Sequence, residues 1–121
     1  MATRSLVVKV TAGKDDPERC NQAFTVAAAA AASGIPVSLW LTGEAAWFAL
    51  PGRAEEFDLP AAAPLADLLA GVVAVGTVTV CTQCAARRNI AAEDLIKGVR
   101  ISGATTFVAE IMAEGAQVIV Y

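Results

Sequence analysis

The sequence predicts an α/β fold: three layers, with a mainly parallel sheet of about five strands and helices on both faces. Two observations carry this. Short β-branched, apolar runs alternate with longer helix-favouring segments, the order that builds strand–crossover–strand units. The strand candidates themselves, SLVVKVT, IPVSLWL, TVTVC and AQVIVY, are nearly unbroken apolar runs, as expected of strands covered on both sides.

The elements follow in order. Ser5 to Thr11 reads as the first strand, ended by Ala12-Gly13. Asp16-Pro17-Glu18 supplies an N-cap, a proline at the first helical position and an acid in the first turn, opening a helix that runs through the alanines to about Ser33 and stops at Gly34. The alanine run is the signature of close packing between a helix and a sheet. Ile35 to Leu41 is the second strand, and GEAAWFALPG after Thr42 is irregular or briefly helical. A loop through Pro60 leads to a helix restarting at Pro64 and ending near Gly76. Thr77 to Cys81 is the third strand. Helical turns are expected around Cys84 to Arg88 and again at Ala92 to Ile96, then a helix from about Gly103 to Glu114 and a last strand from Ala116 to Tyr121. No internal repeat or linker interrupts this pattern, so residues 1–121 read as a single domain.

Composition excludes several kinds of function. At 121 residues the chain is large enough to bury roughly two thirds of its unfolded surface and to hold a core without disulfides. It is 56% hydrophobic with a mean hydropathy of +0.57, yet its apolar runs fall short of the roughly 18 residues that suggest a membrane span. The N-terminal residues show no secretory pattern, and the expected location is cytoplasmic. A net charge of -3 and a pI near 4.8 leave no basic stripe for phosphates, so no nucleic-acid partner and no membrane partner are expected.

Missing residues narrow the chemistry further. Without histidine the chain cannot build a Ser-His-Asp or Cys-His pair or a two-histidine metal site. Three cysteines cannot fill a four-cysteine zinc site. Neither phosphate-cradling glycine motif is present, and neither a metal nor a cofactor is expected. What chemistry remains rests on sulfur, and three cysteines with no secretory signal point to reduced thiols.

Cys81 stands at the carboxyl end of the third strand, where open parallel sheets gather their ligands. The following residues, Thr82 to Arg88, favour a helix, which would set the Cys81 thiol beside unpaired N–H groups and favour its thiolate. Arg87 or Arg88, folded back, would add positive charge for an anion such as a persulfide. Cys84 lies one helical turn on, within disulfide reach of Cys81; it reads equally as a partner thiol or as packing. The Trp-Cys-Gly-Pro-Cys setting of a thioredoxin is absent. Cys20, in the first turn of the first helix, would open onto the same crevice if strands one and three were neighbours; a purely structural Cys20 is the competing reading. Trp40, Trp47, Phe48 and Leu50 are candidates for core or subunit interface, and Trp47 with Phe48 for a patch driving self-association.

The stretch VCTQCAARRNI following a strand resembles the DsrE/DsrF-like family of small sulfur-relay proteins, in which a cysteine closes a central strand and precedes a helix ending near an arginine and a hydrophobic residue. The rest of the chain is similar in outline, with an alanine-bearing helix ending Ser-Gly before IPVSLWL and a final GAQVIVY strand. The resemblance implies a YchN-like fold, homo- or hetero-oligomers that are commonly trimers or hexamers, sulfur donor and acceptor proteins as partners, and a cysteine that takes up and passes on sulfane sulfur as a persulfide, a possible sulfurtransferase activity. That cysteine corresponds to Cys81; Cys84 corresponds to the members with C-x-x-C. Asn89 stands where many members have glycine. Two other readings stay open: a non-catalytic oligomeric scaffold, and a thiol-disulfide oxidoreductase cycling Cys81 with Cys84.

Overall fold

Five strands pair side by side and all in parallel, in the order β4-β3-β2-β1-β5, in a computed structural model that describes residues 3–121. The strands are β1 (Ser5–Val10), β2 (Val37–Leu41), β3 (Thr77–Cys81), β4 (Val99–Ser102) and β5 (Ala116–Val120). The helices are α1 (Pro17–Ala32), α2 (Leu65–Val75), α3 (Thr82–Arg87) and α4 (Ala104–Ile111). Short 3-10 turns at Gly43–Ala49, Ala54–Glu56 and Ala92–Asp94 complete the connections.

The chain steps from β1 to β4 in one direction and then returns across the sheet to place β5 beyond β1. Right-handed crossovers put α1 and α2 on one face and the returning α4 on the other. Burial follows from this. On the first face Val8, Val10, Leu39, Leu41, Val78 and Val80 are fully buried against Phe24 and Ala27 of α1 and Leu69 and Val72 of α2. The alanines of α1 let that helix lie close, with Ala23, Ala27 and Ala30 in the buried stripe. Its start is set as the sequence implies, with Asp16 accepting from the Arg19 N–H and Pro17 in the first turn.

The opposite face carries Lys9, Ser38, Trp40, Thr79 and Arg100, covered by α4. Glu110 of α4 accepts from Ser38 Oγ, from Trp40 Nε1 at 3.0 Å and from Arg100, while Arg100 Nε donates to Thr79 Oγ1 at 2.7 Å. Phe107 meets Trp40 edge-on with ring centres 5.3 Å apart. Burial raises the Glu110 pKa, but the Ser38, Trp40 and Arg100 donors outweigh it and hold the carboxyl below its ordinary value.

Three expectations need correction. β4, VRIS, is a strand that the four apolar runs do not include: it is four residues long, at the sheet edge, with an arginine in its middle. β1 and β3 are not neighbours, because β2 lies between them. Phe48 is 1% exposed and stacks edge-on against Phe24 and Phe57, so it is core and not a surface patch. Trp40 is buried, in keeping with the core reading given for it, and Trp47 is half-buried under the Arg53 guanidinium.

Candidate functional site

Cys81 ends an interior strand and caps the helix that follows. Its backbone is extended, with φ −64° and ψ 133°, and the chain turns directly into α3. On β4 its register partner is Ser102, whose hydroxyl donates to Thr106 Oγ1 at 2.6 Å, and Gly103 lies against Thr82. The starts of α3 and α4 therefore flank the carboxyl edge of the sheet around a half-buried thiol.

Burial raises the Cys81 pKa. The backbone N–H groups of Cys84 and Gln83 lower it, followed by the Cys84 thiol and the charge of Lys9, and the net result lies below the ordinary cysteine value. No side-chain capping hydrogen bond of normal geometry forms at Cys81. The pull is thus the summed field of several donors aimed at the sulfur, as expected at the opening of a helix.

Cys84 is the second sulfur of the site and is 8% exposed. The Gly43 N–H donates to its Sγ at 3.2 Å. Gly43 has φ +54°, and a Cβ there would lie 2.4 Å from the Thr11 carbonyl oxygen. Only glycine fits such a turn, and the close approach to Thr11 fixes the direction of its N–H. Cys20 is elsewhere: it lies in the first turn of α1, fully buried on that helix's inner face, and burial, followed by the charges of Asp15 and Asp16, pushes its thiol up to about 12.

Neither arginine closes over the thiol. Arg88 pairs with Glu44, with Nη2 2.7 Å and Nε 3.1 Å from one carboxylate oxygen, and its Nη1 donates to the Cys84 carbonyl. It ties α3 to the turn after β2. Arg87 is exposed and reaches only Gln83, at 3.4 Å. The cation that acts on Cys81 is Lys9, whose Nζ sits 5.1 Å over the Phe107 ring. Sequence reasoning missed Lys9, although a lone charge inside SLVVKV was the available signal. Asn89 takes φ +55°, the left-handed conformation that asparagine tolerates, which accounts for asparagine at a position where glycine would serve.

Among the described residues no group of three or more His, Cys, Asp or Glu side chains is arranged to hold a metal ion. No helix among them is long and apolar enough to cross a membrane.

A small parallel α/β domain with a cysteine closing an inner strand is what the fold and site define. The chain belongs to the DsrE/DsrF-like family, whose pattern it matches over residues 4–121. Among solved structures it is similar to the ychN protein from E. coli, at 19% identity with 98% of this chain and 99% of that one covered and a TM-score of 0.81. A protein of unknown function from Methanobacterium thermoautotrophicum is similar at 11% identity, 98% and 99% coverage and a TM-score of 0.71. Another from Bacteroides thetaiotaomicron is similar at 14% identity, 97% and 94% coverage and a TM-score of 0.58. These likenesses establish the YchN-like fold. No curated protein sequence matches the chain.

Proposed function

We propose that the protein is a sulfur-relay protein that accepts sulfane sulfur on Cys81 and passes it to the thiol of a partner protein. The observation that carries this is the half-buried Cys81 thiol, lowered in pKa, at the carboxyl end of an inner strand. A thiolate attacks the outer sulfur of a donor persulfide, the donor's inner sulfur leaves as a thiolate, and the new Cys81 persulfide stays within reach of an incoming thiol. The reaction asks for an anion-stabilising field and an open approach. Membership of the DsrE/DsrF-like family agrees with this reading.

The test is intact-mass spectrometry after incubation with a persulfide donor. The chain gains one sulfur atom, and Cys81→Ser does not. A Cys81→Ser chain that gains sulfur as fully as the native one refutes the proposal, and a native chain that neither gains sulfur nor releases sulfide leaves the scaffold reading in its place.

Self-association, as a trimer or hexamer, belongs to the same proposal. Its support is the apolar surface on the last two elements, where Val108, Met112, Val118, Ile119 and Val120 are exposed. β5 is also an edge strand with one side unpaired, an invitation to partners that single chains usually avoid. Sedimentation as a monomer at micromolar concentration contradicts it.

A further inference from the structure

Cys84 is placed to react with one thing only. At 8% exposure it is closed to thiols on other proteins, yet its thiol bears on the Cys81 sulfur. It sits three residues along from the helix cap, a separation of about 5 Å between Cα atoms by helix geometry, inside the range that disulfides span. The Gly43 N–H, held by a turn that admits no side chain, donates to Cys84 Sγ and holds that sulfur in place at the start of the helix.

We infer that Cys84 resolves the Cys81 persulfide from inside the protein, releasing hydrogen sulfide and leaving a Cys81–Cys84 disulfide. The inference rests on sulfur acceptance by Cys81. The Cys84 thiolate attacks the inner sulfur, Cys81 Sγ. A bond forms between the two cysteine sulfurs, the bond from Cys81 Sγ to the outer sulfur breaks, and the outer sulfur leaves with the electron pair as hydrosulfide, which takes up the proton lost by Cys84. The sulfane sulfur is reduced to sulfide while two thiols are oxidised to a disulfide, so the step is balanced without an outside oxidant. Resetting the pair takes two electrons from a low-molecular-weight thiol or a dithiol protein.

The persulfide therefore has two exits. A partner thiol attacks the outer sulfur and carries it away; Cys84 attacks the inner sulfur and discharges it as sulfide. A loaded protein that meets no partner empties itself, and the site works as a relay with a reductive release.

The experiment uses the whole chain, fully reduced and desalted. It is loaded with glutathione persulfide and desalted again with no thiol present, then followed by intact mass and by colorimetric sulfide assay. The native protein releases one equivalent of sulfide per loaded chain and ends lighter than the reduced chain by two hydrogens. Cys84→Ser and Cys84→Ala keep the added sulfur and release none until a thiol is supplied. A native chain that keeps its added sulfur as long as those variants do, or that forms the disulfide without releasing sulfide, overturns the inference and leaves acceptance by Cys81 standing. Absence of added sulfur and of sulfide in all three proteins overturns acceptance, and the inference with it.

Discussion

The two faces of the sheet are built on different principles. Against α1 and α2 the inner strands present aliphatic side chains, with Val8, Val10, Leu39, Leu41, Val78 and Val80 fully buried, and this part of the face is dry. Against α4 the sheet presents Lys9, Ser38, Trp40, Thr79 and Arg100; Ser38, Trp40 and Arg100 donate to Glu110, Arg100 also donates to Thr79, and α4 has no buried residue of its own. The difference separates the sources of stability and reactivity. One face holds the fold through area removed from water, which is strong and undirected. The other holds α4 through a polar network and sets Lys9 where its charge reaches Cys81.

This contrast breaks first at the dry face. Phe24 is fully buried between α1 and the sheet and meets Phe48 edge-on, so Phe24→Ala should destabilise the protein by about 3–5 kcal/mol, the range for a buried aromatic truncated to alanine. Denaturant unfolding with an unchanged m-value checks this; a loss of under about 1 kcal/mol would mean that the apolar face does not hold the fold.

A smaller effect is expected from the polar face. Glu110→Gln keeps the shape but removes the charge that three donors face, and should cost about 1.5–3 kcal/mol, as for hydrogen bonds to a charged group. Its pH dependence has a definite sign. The folded pKa of Glu110 lies below its unfolded value, so its contribution is complete above the unfolded pKa and is lost as pH falls through the folded one. In the native protein stability therefore drops on acidification, and Glu110→Gln flattens that part of the curve. An equally steep acid loss in the variant would assign it to other carboxylates.

The smallest effects concern two cations, Lys9, whose charge acts on the thiol, and Arg87, which is turned toward Gln83. Lys9→Met should move the alkylation profile of Cys81 to higher pH and slow the reaction at neutral pH by up to about fivefold, the scale of a solvent-screened pair worth about 1 kcal/mol or less. Arg87→Ala, at an exposed side chain facing Gln83, should leave the profile in place. Iodoacetamide kinetics against pH on both variants decide between them, and a shift with Arg87→Ala alone would return the role to the arginine.

What was legible in the sequence was what periodicity and chain neighbours control. The apolar runs mark β1, β2, β3 and β5, the proline and aspartate mark the start of α1, and the switch at Cys81 from strand to helix residues places the thiol within a residue of its observed position. Strand order is a different matter. Whether Cys20 shares a crevice with Cys81 depends on which way each crossover steps, and no local pattern encodes that. Arg88 seemed free to cover the thiol because Glu44, its partner, lies 44 positions away. β4 was hidden because an edge strand need not be apolar, and its central Arg100 serves the Glu110 network.

The uneven covering of the chain's last elements carries over into how the protein opens. In α4 and β5 every side chain is half-buried or exposed, so residues 104–120 form the unit with least area to lose on detaching. Amide hydrogens there should exchange through local opening well before those of β2 and β3, whose exchange waits for global unfolding. If copies of the chain cover that surface, association draws on the closed form alone, and exchange in β5 slows as protein concentration rises while exchange in β2 does not.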